Sequence, residues 1–123
     1  MKPSKPPWPV LSIACLYIAI GTIGLLYHFP AFHGQYDFHQ EDFLIELTEA
    51  VALVSGIFML RGRDWARWLA LAWIAFHVAL SAFHSLQEVL VHALLCAIIA
   101  VCLLNPSASR FFRTRSASLD NLR

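Results

Sequence analysis

The sequence predicts an all-α membrane protein: a four-helix transmembrane bundle, up-down-up-down, with both termini cytoplasmic. Three observations carry this expectation. The chain of 123 residues is 59% hydrophobic and 14% charged, whereas soluble domains run at about 45–50% apolar and about 25% charged residues. One small core could not hide that much apolar surface, and a bilayer removes the need. The apolar residues also fall into four runs of about 20 residues each, long enough to cross a hydrocarbon core of about 30 Å. Finally, all nine Lys and Arg fall on one side when those runs are threaded through a membrane.

The first span is Val10 to Phe29. Pro9 suits the first helical position and Pro30 is expected to stop the helix. Lys2 and Lys5 resemble the start of a signal peptide. The run is longer than a typical signal core, however, and no A-x-A-like site follows it, so a retained span is expected. The second span is Phe43 to Leu60. Glu41 and Asp42 stand where the helix dipole favours anions, and Arg61-Gly62 supplies a cation and a glycine for its C-terminus. Asp64 is then expected to cap the third span, Trp65 to Phe83. The fourth break has neither Gly nor Pro. Ser85-Leu86-Gln87-Glu88 fits the S-x-x-E capping box and starts a span at Leu86 that ends at Leu104, before Asn105-Pro106. Without that break, residues 65–104 would form one helix of about 60 Å, twice the bilayer core.

Residues 1–9 form a short N-terminal segment, residues 10–104 the membrane domain and residues 105–123 a basic, Ser-rich tail. The tail is expected to be mobile and to lie on anionic lipid through its arginines and Phe111-Phe112. The positively charged side contains both termini and the Arg61–Arg63 turn. The positive-inside rule therefore places these in the cytoplasm. Trp8, Trp65 and Trp68 suit an inner aromatic belt, and Tyr27, Phe29, Tyr36 and Phe38 an outer one. Gly21, Gly24 and Gly56 permit close helix approach. Cys15, Cys96 and Cys102 match no disulfide framework and no C-x-x-C pattern, and read as small packing residues.

Polar groups inside the spans mark the candidate site. Counted from the outer helix ends at 1.5 Å per residue, Glu49, His77 and His92 each lie about 9 Å deep, with Glu46 and Thr22 near that level. His77, Ser81 and His84 share a stripe on span three that Trp73 continues inward. Glu88, His92 and Cys96 stack on one face of span four. A lone ionisable group in lipid costs at least about 2.5 kcal/mol, so these side chains should face the interior and find partners.

The first reading is a structural His/Glu network that sets helix register. The alternatives are a metal site drawn from His77, His92, Glu49, Glu46, His84 and Glu88; haem b between His77 and His92, or a quinone site beside them; and a proton or ion relay. The E-x-x-x-H spacing differs from the E-x-x-H of di-iron bundles. His28, His33 and His39, with Asp37, Glu41 and Asp42, read first as solvated loop residues, since their spacing matches no closed metal motif; loose metal binding or sensing of pH are the alternatives. No phosphate loop, G-x-S-x-G elbow or H-E-x-x-H motif is present. The tail is too short and too poor in aromatics to suggest nucleic-acid binding.

The stretch R-G-R-D-W-A-R-W-L-A-L-A-W-I-A-F-H-V-A-L-S-A-F-H-S, with its G-R-x-W-A-R-W-L turn and His-bearing span, resembles small four-span bacterial integral membrane proteins of no assigned activity. The resemblance covers most of the membrane region and carries over no catalytic residue. The expectation is a non-enzymatic accessory or interaction module. Its surroundings are the lipid bilayer, with a protein partner or a second copy as candidate associates. The rival expectation is a metal- or haem-binding protein that uses His77, His92 and Glu49.

Overall fold

The computed structural model describes residues 5–32 and 40–122, with side chains for 5–27 and 43–122. Among the described residues the chain is helical throughout, without strands. Its helices are α1 (Trp8–Phe32), α2 (Gln40–Leu60), α3 (Asp64–Ser81), α4 (Leu86–Leu104) and α5 (Pro106–Asp120). Three of them are long and apolar enough to cross a membrane, over Trp8–Tyr27, Phe43–Leu60 and Leu86–Leu104. In α3 the Asp64–Arg67 pair, three tryptophans and His77 dilute the apolar content.

α1 and α2 run antiparallel in close contact. A Cβ built on Gly21 would fall 2.5 Å from Leu53 N and 2.7 Å from Glu49 O. One on Gly56 would fall 2.7 Å from Ile18 Cγ1 and 2.8 Å from Ala14 O. Only a residue without a side chain allows the backbones to approach this far. α3 returns beside α2, where Phe58 and Trp65 pack with ring centroids 5.0 Å apart. α4 then packs on α3 and more lightly on α1.

Two of the expected helix signals are present. Gly62 has φ +74°. Gly62 N donates to Met59 O at 2.9 Å and Arg63 N to Phe58 O at 3.0 Å, the paired bonds of a Schellman ending on α2. Ser85 is extended and its Oγ accepts from Glu88 N at 3.2 Å, so it caps α4. The reciprocal half of the expected capping box is missing, because Ser85 N donates to Ser81 O instead.

Other expectations need correction. α1 continues through Pro30 to Phe32. So near a helix end a proline forfeits a single backbone bond, which does not force the chain out of helix. Asp64 is not a cap: Arg63 occupies that position without a side-chain bond, and Asp64 begins α3 paired to Arg67 at 2.8 Å. α3 ends at Ser81 rather than Phe83. The largest correction is the tail, which forms α5 and docks. Asn105 ends α4 and starts α5, its Nδ2 donating to Cys102 O at 2.9 Å and its Oδ1 accepting from Ala108 N at 2.8 Å. Pro106 follows in the first turn, where its missing N–H costs nothing. Ala108, Phe111 and Phe112 are buried, so the two phenylalanines face protein.

The core is therefore concentrated at one end of the molecule. Val10, Ala14 and Tyr17 of α1, Met59 of α2, Ala66 and Ala70 of α3, Leu103 of α4 and Phe112 of α5 are all buried. Arg67 lies among them, 9% exposed. It bonds Ser109 Oγ at 3.2 Å, and its guanidinium carbon lies 5.2 Å from the ring centres of both Trp68 and Phe112. At the opposite ends of the helices, among the described residues, Phe83, Leu86 and Tyr27 are exposed.

Replacing Gly21 or Gly56 by Leu should separate α1 from α2. Thermal unfolding in detergent should show a loss of at least about 1–3 kcal/mol, the usual cost of overpacking. An unchanged midpoint for both variants would contradict the close approach.

Candidate functional site

The candidate site lies where α3 meets α4. The turn Ala82–Ser85 reverses the chain and sets the two helices side by side. Ser81, at the last position of α3, is buried. Its hydroxyl donates to His77 O at 2.7 Å, and its Oγ lies 2.8 Å from His92 Nδ1. His92 Nδ1 is also 2.9 Å from Glu88 O. A carbonyl can only accept, and the Ser81 proton is already committed. Nδ1 of His92 therefore carries a hydrogen shared between Ser81 Oγ and Glu88 O.

His77 obeys the same logic. Its Nδ1 lies 2.9 Å from Trp73 O and must donate to it. The two rings face each other with centroids 6.2 Å apart and planes 29° from parallel. His77 also packs on Trp73 at 4.0 Å and meets Phe76 edge-on at 5.8 Å. In the neutral state of each ring, Nε2 is then the acceptor nitrogen. An Nδ1–H held by a carbonyl is also how proteins orient a histidine whose Nε2 binds something else.

Deeper contacts extend this stripe toward the core. Trp73 Nε1 donates to Thr48 O at 2.8 Å, joining α3 to α2. The Tyr17 hydroxyl donates to Ala70 O at 2.8 Å, joining α1 to α3. The Tyr17 and Trp73 rings meet edge to face, 5.2 Å apart. Sequence reasoning placed Trp73 in the stripe but missed Tyr17. The available signal was a polar-tipped aromatic in the middle of an apolar run, where a buried hydroxyl needs a partner.

The other candidates separate. The carboxyl group of Glu49 lies against Gly24, in the space that a side chain there would fill. Glu49 therefore belongs to the α1–α2 contact. Glu46 is half-buried, and its Oε1 is buried without a hydrogen-bond partner among the described residues. His84 and Glu88 are exposed; the turn after Ser81 breaks the periodicity that would have kept His84 on the stripe. His92 uses the Glu88 carbonyl rather than its carboxylate. Thr22 is exposed on α1. Among the described residues, no three His, Cys, Asp or Glu side chains are grouped as a metal-ion site. The side chains of His28, His33, Asp37, His39, Glu41 and Asp42 lie outside the described residues.

Chemically, the assembled site is a pair of oriented imidazoles on a ladder of donors that end on helix carbonyls. Searches of protein families, curated proteins and solved structures find no match for this chain.

Ser81→Ala should remove the α3–α4 side-chain bond without touching the cap. The loss should be about 0.6 kcal/mol and at most about 1.7, the range for polar contacts between membrane helices. Ser85→Ala should cost about 0.5–2 kcal/mol through the lost cap. Both are read by unfolding in detergent or mixed micelles, and a neutral Ser85→Ala would count against the cap.

Proposed function

We propose that the chain is a four-span protein of the bacterial inner membrane, with both termini and the Arg61–Arg63 turn in the cytoplasm. It acts without catalysis, as an accessory or interaction module. The observation that carries this reading is where the polar side chains spend their hydrogen bonds. Tyr17, Trp73, His77 and Ser81 each donate to a helix carbonyl, and His92 bridges Ser81 and Glu88 O. Three of these bonds cross between helices, Tyr17 to Ala70 O, Trp73 to Thr48 O and Ser81 with His92, and fix helix rotation. Those to Trp73 O, His77 O and Glu88 O return to the donor's own helix and orient its side chain, and the set as a whole suits a structural network.

The membrane reading has its own support. α4 exposes Leu86, Leu90, Val91, Leu94, Ile98 and Val101, a surface suited to lipid or to a partner within the membrane. Antiparallel packing of successive helices supports up-down-up-down threading, with α3 as the fourth crossing. Arg61, Arg63, Arg67 and the α5 arginines share the end at which Trp8, Trp65 and Trp68 are exposed, as a charged inner face with an aromatic belt requires. Reporter fusions at Gln35 and at the C-terminus should report opposite sides of the membrane. Two reports from the same side would remove this topology.

A second reading keeps the histidines as ligands for a metal ion or haem. It is favoured by the Nδ1 anchoring of both rings, which orients their Nε2 atoms. Substitution at His77 separates the readings. Under the structural one, His77→Ala should lower the unfolding midpoint while His77→Gln is largely tolerated, since an amide still donates and accepts. Under the ligand reading, both variants should abolish a Soret band or stoichiometric metal present in the purified wild type.

A further inference from the structure

The other end of the molecule holds an unbalanced charge. The Schellman ending at Gly62 leaves arginines on both sides of a tight turn, Arg61 and Arg63. α5 crosses that turn. The Cβ and Cγ of Arg115 lie on Gly62, in the space that any side chain there would need, and Phe111 Cζ lies beside it at 3.4 Å from the same point. Glycine is thus required twice, for its positive φ and for the arginine stem laid over it. Three guanidinium-bearing residues are brought to one turn.

The surrounding carboxylates do not balance them. Asp64 is engaged by Arg67 at 2.8 Å. Asp120 is exposed in the last turn of α5. Arg61 stacks its guanidinium 5.3 Å from the Phe58 ring centre, a contact that leaves its N–H donors open. Arg115 Nε is buried without a hydrogen-bond partner among the described residues. Three arginine side chains that start from or cross one turn offer several N–H donors to an anion with several acceptor oxygens. This turn follows directly on Phe43–Leu60, one of the helices long and apolar enough to cross a membrane, so the membrane reading puts it near the depth of lipid phosphates.

We propose that Arg61, Arg63 and Arg115 form a headgroup site for an anionic phospholipid, with its phosphodiester over the Gly62 turn. The site rests on the reading of the chain as a membrane protein. Arg110 and Arg113 lie on the exposed face of α5 and contribute only diffuse attraction.

The test uses full-length protein reconstituted in phosphatidylcholine, with or without phosphatidylglycerol. Lipid retained after detergent exchange is counted by mass spectrometry. Wild type should retain phosphatidylglycerol in preference to phosphatidylcholine. Arg115→Gln should weaken that preference about fivefold, and Arg61→Gln with Arg63→Gln further, as expected for about one unit of attraction per arginine. Should Arg115→Gln fail to fold, the doubly substituted turn, more exposed, carries the test. With the lipid preference read at physiological salt, where exposed charges are largely screened, the double variant Arg110→Gln/Arg113→Gln should keep the preference within about twofold. Equal retention of the two lipids, or equal loss in this control pair, would overturn the site. Full displacement of the lipid by inorganic phosphate would overturn the lipid as occupant. Carbonate washing of membranes separates the two failures: release of the protein defeats the membrane reading and this site together, whereas retention without lipid preference defeats this site alone.

Discussion

The backbone contact between α1 and α2 is the constraint from which much of the arrangement follows. Gly21 and Gly56 let the two helices meet with no side chain between them. That proximity fixes the rotation of α2, which turns Glu49 onto Gly24 and presents the Thr48 carbonyl to α3. Trp73 then docks on that carbonyl, and Tyr17 closes the triangle by bonding Ala70 O and packing against the Trp73 ring. His77 stacks on Trp73, so the position of the imidazole pair is inherited from contacts two helices away.

The two ends of the molecule solve different physical problems. At the arginine end, burial is deep. Phe112 and Leu103 are fully buried, and Arg67 is enclosed by an ion pair, a hydroxyl and two rings that offset its desolvation. At the histidine end, among the described residues, α1 and α2 pack at Gly21 and Gly24, while α3 is joined to α2 and α4 by oriented polar contacts at Trp73 and Ser81. An apolar stretch can slide or rotate on lipid at little cost. A hydroxyl shared between two helices, as at Ser81, cannot. Register is thus held by packing at the arginine end and, at the other, by the α1–α2 contact together with hydrogen bonds from α3.

How much could be read in advance differs from element to element. The helix ends at Gly62 and at Ser85 were legible because each depends on a few neighbouring residues and on local backbone geometry. Asp64 was misread because its carboxylate had a better partner one turn on, in Arg67. The tail was misread because its composition is polar and basic. The stripe Ala108, Phe111, Phe112 is short, and only the presence of a core beneath it turns that stripe into a docked helix. Asn105-Pro106 was read as a stop, although the same pair is equally a start.

The sequence by itself determined the helical class, the apolar runs, the short turns between them and the glycines that allow close approach. All of these follow from local rules with a reach of a few residues. Tertiary structure alone decided which polar groups share a site. Helical periodicity tells which residues lie on a common face, but not which way that face turns. That rotation is chosen by the packing of several helices at once. For this reason the His77 and His92 rings face each other, linked through the Ser81 hydroxyl and the His77 carbonyl, while Glu49, counted to the same depth, turned to a glycine on another helix.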